Sequence, residues 1–194
     1  GSDSQEVVDT GWVGRYLNYE FPNFPNGYPN TTMPDPLAIQ IGAVSSLTFH
    51  GPSMGMSMSI TNPTSFYRIV DDVQDPAPPT RAGKELTYVR EIARQTELFA
   101  SAVKRAASNT AQQLPYPENN ELADQLKIVA RLVKGGLKTR VYMVSYNGFD
   151  THSMQTDQAD PTIGKHADLL KELSDSVKAF QDDLAFMGIE DRVI

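Results

Sequence analysis

The sequence predicts an α/β protein, a partial parallel sheet flanked by long helices, and three observations carry that reading. Residues 139–146 (TRVYMVSY) alternate Val141, Met143 and Ser145 against Tyr142, Val144 and Tyr146 with little polar content. That is the pattern of a strand covered on both faces, which belongs mostly to parallel sheets. Three stretches, 84–109, 118–134 and 165–187, repeat apolar residues at the i, i+3, i+4, i+7 spacing of amphipathic helices. The last third then runs helix, tight turn, strand, loop, helix, which is the order of a crossover unit.

Taken in order, residues 11–21 (GWVGRYLNYEF) place Trp12, Tyr16 and Tyr19 at helical spacing beside Val13 and Leu17, a short amphipathic helix weakened by Gly11 and Gly14. Prolines and an Asn-Gly pair exclude helix and central strand from 21–36, and the aromatics there predict a loop pinned to a surface. Residues 36–43 (PLAIQIGA) alternate as a strand, and after the turn at 49–52 the run MGMSMSI sets Met54, Met56 and Met58 on one side. A methionine stripe can serve soft metals, but at a period of two it reads first as the buried face of a strand. Residues 66–79 are mixed and close in a proline-rich linker. The helix at 84–109 should turn Leu86, Val89, Ile92, Phe99 and Val103 inward and its charges to water. The helix at 118–134 should bury Leu122, Leu126, Val129 and Val133 and end at Gly135-Gly136 in a left-handed cap.

The strand at 139–146 is expected inside the sheet. The helix at 165–187 is expected to pack Leu169, Leu170, Leu173, Val177, Phe180 and Leu184 against it, with Gly188 as its stop. Arg192, Val193 and Ile194 read as the beginning of a further strand. A chain leaving off there reads as the middle portion of a longer domain, spanning 3–194, with Gly1 and Ser2 a vector scar. Open sheet edges would then favour self-association.

Composition narrows the function classes. A net charge of -7 leaves no basic stripe to neutralise phosphates, which argues against nucleic acid as a partner. Without cysteine there are neither disulfides nor thiolate metal sites. No apolar run approaches the roughly 20 residues of a membrane helix.

The chemistry concentrates after the strand at 139–146. Asn147-Gly148 signals a turn, and Asp150 and His152 follow with one residue between them, so an extended chain aims both side chains the same way. Ligands of open α/β sheets bind at the carboxyl ends of the strands. An oxygen donor beside an imidazole at that place is a candidate half of a divalent metal site, zinc or manganese ahead of magnesium or calcium. The plainer alternative is a solvated turn in which Asp150 caps backbone amides.

The segments GWVGRYL, NGFDTHSMQ and HADLLKELSDSVKAFQDDLAFMGIEDRV resemble those of the bacterial family called domain of unknown function 1501, over nearly the whole chain. The resemblance implies a secreted or periplasmic protein of the alkaline phosphatase and sulfatase superfamily. It implies metal ligation by Asp150 and His152, and hydrolysis of a small anionic phosphate or sulfate ester. The family's Gly-Gly-x-Asp-Gly-Leu, Ser-Glu-Phe-Gly-Arg and Asp-His-Gly segments are not in this sequence, so it would carry part of a site, without its nucleophile, and be inactive alone. Arg15 as a clamp on an anionic group, or as a structural ion pair, and His166 and Gln155 as supporting contacts complete the candidates. His166 reads equally as a helix-surface residue. The opposing expectation is a catalytically silent secreted scaffold, or a module binding carbohydrate or another partner through the aromatics of 21–28.

Overall fold

Ala38–Ile41 (β1), Ser57–Ile60 (β2) and Val141–Met143 (β3) form one parallel sheet in the order β2-β1-β3, in a computed structural model that describes residues 9–43, 45–52, 54–63, 76–108, 112–153 and 155–194. Ile39 lies opposite Met58 on one side and Tyr142 on the other. All four residues of β1 are buried, so both faces of the sheet are covered at its middle strand. The methionine stripe is core: Met56 and Met58 are buried. Ser57 is buried as well, its hydroxyl bonded to that of Ser45 at 2.6 Å, which a simple alternation of inside and outside does not predict.

The middle of the sheet is therefore β1, and the strand at 139–146 is shorter and more peripheral than its apolar run implies. β3 has one strand neighbour among the described residues, and its three residues are half-buried. Past Met143 the chain leaves the ladder because a side chain takes the place of a strand. The Gln125 amide accepts from the Ser145 N–H at 2.9 Å and donates to the Ser145 carbonyl at 2.8 Å.

Among the described residues four α-helices pack on the sheet or on one another: Trp12–Glu20 (α1), Arg81–Ser108 (α2), Glu121–Lys134 (α3) and Lys165–Phe186 (α4). Gly11 and Gly14, poor helix formers, are there for close approach. A Cβ at Gly11 would lie 2.1 Å from the Thr48 carbonyl oxygen, and one at Gly14 would lie 2.3 Å from that of His50. The Gly11 N–H in turn donates to the His50 carbonyl at 2.8 Å. The 21–36 loop is pinned, as its aromatics suggest: Phe24 is buried, and Phe21 and Tyr28 pack against the core and each other.

At about 1.5 Å per residue, α2 is some 40 Å long, far longer than a four-residue strand of about 13 Å. Among its described side chains those of the second half meet the core: Phe99, Val103 and Ala106 are buried, whereas Leu86 and Val89, expected inward, are exposed. The side chain of Ile92 lies outside the described residues. α3 begins on Asn120, whose Oδ1 accepts from the Ala123 N–H at 3.0 Å, and its acidic first turn and basic last turn suit the helix dipole. Its end is the predicted cap, with Gly136 at φ 91.

α4 lies on α3 rather than directly on the sheet. Its buried stripe is Ser176, Phe180, Asp183 and Leu184, while Leu170 and Val177 face water. Two polar residues sit in that stripe because both are hydrogen-bonded. Ser176 donates to the Glu172 carbonyl. Asp183 accepts from the Leu114 N–H at 2.8 Å, from Gln113 Nε2 at 2.9 Å and from the Tyr116 hydroxyl at 2.9 Å. The expected strand at 192–194 is not formed. Glu190–Arg192 is a 3-10 turn, and Arg192 reaches back to the Val133 carbonyl at 2.8 Å, completing the last turn of α3.

Candidate functional site

The loop from β3 to α4 leaves the carboxyl end of the sheet and is propped against α4 by rings. The Tyr146 hydroxyl donates to Glu172. Tyr146 and Phe149 stack edge to face at 5.5 Å, and Phe149 does the same with the His166 ring at 6.4 Å. The bond to Glu172, more than any other cause, pushes the Tyr146 phenol up to about 12. These contacts hold the segment on which Asp150 and His152 sit.

Thr151 is buried, while the side chains of Asp150 and His152 are 81% and 87% exposed, so the two point outward together and the residue between them points in. They are in direct contact, Asp150 Oδ1 with His152 Nδ1. With Nδ1 facing the carboxylate, the neutral imidazole carries its proton there and keeps the Nε2 lone pair free. A carboxylate behind an imidazole in this way is the arrangement that orients metal-binding and proton-accepting histidines.

The rest of the loop folds on itself. Asp157 Oδ1 accepts from the Ala159 and Asp160 N–H groups, and Asp160 Oδ1 accepts from the Thr162 N–H and hydroxyl. The Thr162 hydroxyl chiefly, then its N–H, hold the Asp160 carboxyl below the usual range. The loop returns at α4, where the His166 N–H donates to the Gln155 carbonyl at 3.2 Å.

Of the residues singled out from sequence, the structure brings Asp150 and His152 into contact. His166 sits at the base of the loop through Phe149, and its Nδ1 is buried without a hydrogen-bond partner. Gln155 is attached by its main chain alone, with its side chain exposed. Arg15 is not part of the cluster: its guanidinium donates to the Thr10 carbonyl at 2.8 Å and hydroxyl at 3.0 Å. The ion pair expected of it is not formed among the described residues. Tyr146 and Glu172, which hold the loop, went unmarked because nothing in either residue names a partner 26 positions away.

Among the described residues no group of three His, Cys, Asp or Glu side chains converges as a metal site would require. Two donors fall short of the three protein ligands that a catalytic zinc takes, so the residues present do not by themselves fit a metal centre. No described helix is long and apolar enough to cross a membrane. No protein family, no curated protein and no solved structure matches the chain. What fold and loop define is an α/β chain with a paired Asp and His on the loop that follows β3 of a parallel sheet.

Proposed function

We propose that the chain is a portion of a secreted or periplasmic hydrolase of phosphate or sulfate esters, dependent on a divalent metal and built on an alkaline phosphatase-like domain. The single observation that carries this reading is the outward Asp150–His152 pair at the carboxyl end of a parallel sheet. Its membership of the domain of unknown function 1501 family rests on the sequence motifs alone. In this reading Asp150 fixes the His152 ring, His152 Nε2 is the open donor atom, and the ring contacts from Tyr146 to His166 keep the pair in place. With His152 Nε2 as the one donor atom, at least two further ligands are needed, which no described residue supplies.

The test is hydrolysis of p-nitrophenyl phosphate and p-nitrophenyl sulfate. The full-length gene product should act on one of them when zinc or manganese is added, residues 1–194 alone should show little or no activity, and Asp150→Ala or His152→Ala should remove the activity of the whole protein. Activity equal to wild type in both variants would refute it.

A second reading, a catalytically silent module binding carbohydrate or another partner by stacking, is favoured by α1 rather than by the 21–28 loop. Trp12, Tyr16 and Tyr19 are 70%, 53% and 81% exposed on that helix. Trp12 is the sole tryptophan, so its fluorescence reports directly on oligosaccharide binding there. An unchanged spectrum across neutral and acidic oligosaccharides would remove the carbohydrate version of this reading.

A further inference from the structure

We infer that Asn147 is a site of spontaneous covalent modification: with Gly148 it closes to a succinimide that opens to aspartyl and isoaspartyl forms, and the change loosens the loop that carries Asp150 and His152. The sequence holds two Asn-Gly pairs, 26–27 and 147–148, and glycine leaves its own N–H unshielded because it lacks a Cβ. In the reaction the Gly148 nitrogen attacks Asn147 Cγ. The bond from nitrogen to Cγ forms, the bond from Cγ to Nδ2 breaks, and the side-chain amide leaves as ammonia with the proton that Gly148 loses. Water then opens the ring at either carbonyl. Cleavage at Cγ restores the main chain with a carboxylate at position 147, and cleavage at the main-chain carbonyl reroutes the chain through Cβ and Cγ. Water is the only co-reactant, so the step stands whether or not the loop binds a metal.

The fold treats the two pairs differently. Asn26-Gly27 is the tip of a closed turn: the Tyr28 N–H donates to the Pro25 carbonyl at 3.0 Å, and Asn30 Nδ2 donates to the Gly27 carbonyl at 3.0 Å. Across 146–149 no such bond is made among the described residues. Asn147 and Gly148 are exposed, Gly148 takes φ 102, and neither the Asn147 side chain nor the Gly148 N–H has a hydrogen-bond partner among the described residues. The pair can therefore rotate into ring closure by a local opening. Its neighbours do not follow. Ser145 is held by Gln125, Tyr146 by Glu172, and Phe149 by the rings of Tyr146 at 5.5 Å and His166 at 6.4 Å. An isoaspartyl linkage inserts one more carbon into the main chain between two fastened residues. The added length must be taken up at the Tyr146–Phe149 stack, which props the Asp150–His152 pair.

The test is peptide mapping by mass spectrometry of the full-length gene product, aged in its native state at mildly alkaline pH, with isoaspartyl methyltransferase labelling to report the rerouted form. Asn147 should convert roughly tenfold faster than Asn26, whose turn is closed by two hydrogen bonds, and the two should convert at similar rates in urea. Asn147→Gln, at an exposed side chain, leaves the fold intact and should abolish labelling of that peptide. The converted protein, separated by ion exchange on its added negative charge, should be cut by thermolysin within 147–153 at least threefold faster than the unconverted protein. Conversion of Asn26 as fast as Asn147 in the native protein, or of Asn147 in urea only, would overturn the proposal. Equal resistance of the two fractions to thermolysin would overturn the loosening of the loop.

Discussion

The Tyr116 hydroxyl donates to Asp183 Oδ2 at 2.9 Å, joining residues 67 positions apart in the chain. Together with the bonds from Gln113 and Leu114, it fastens the segment before α3 to α4 through a fully buried carboxylate. Asp183→Ala strands three donors and should destabilise the fold by roughly 3 kcal/mol, read from urea unfolding. The Tyr116 phenol, pushed well above its ordinary value by burial first and by Asp183 second, should titrate lower in the variant but still above a free tyrosine. A loss of under about 0.5 kcal/mol would show that the donors find other partners.

Tyr146 gives a pH dependence with a defined sign. Its folded pKa of about 12 exceeds the value of about 10 for a free tyrosine, so the hydroxyl's contribution to stability is complete below pH 10 and is lost as pH rises through 12. Glu172→Gln removes the largest cause of the shift and should bring the ultraviolet-monitored titration of Tyr146 down toward 10. A titration that does not move would place the cause elsewhere.

Gly11 is the N-cap of α1, so Gly11→Ala loses on two counts. Alanine is a poorer N-cap than glycine, and its Cβ would meet a backbone oxygen at 2.1 Å, which cannot swing aside. The net effect should be destabilising by about 1–3 kcal/mol, seen as a lower melting temperature. A higher one would mean that α1 stands off the 47–51 segment.

Within α2 two substitutions separate the packed half from the overhang. Phe99→Ala should cost about 3–5 kcal/mol, and Val89→Ala, on an exposed position, should stay within about 0.5 kcal/mol. Comparable losses would show that the first half of the helix is covered in solution.

Periodicity made most of this fold legible. The strands at 38–41 and 57–60, the methionines as core, the glycine stop of α3 and the four α-helices follow from apolar spacing and turn residues. Spacing could not say which strand is central, because an apolar run such as 139–146 looks alike whether a strand or a glutamine amide covers its edge. Nor could it show that Ser176 and Asp183 share the buried stripe of α4, since their burial depends on partners brought in from elsewhere in the fold. In the site, the common direction of Asp150 and His152 was readable from a spacing of two. Their direct contact, the ring props behind them and the local engagement of Arg15 required the folded chain.

The most direct test of the proposed centre is calorimetric titration of the full-length gene product with zinc, manganese, magnesium and calcium in turn. Stoichiometric binding of zinc or manganese is expected. Asp150→Asn should weaken it by about 10- to 100-fold, as loss of the carboxylate behind a metal-bound imidazole does, and His152→Ala should weaken it further. Binding of none of the four ions, or binding that neither substitution alters, would contradict the metal-dependent reading and leave the silent binding module as the better account.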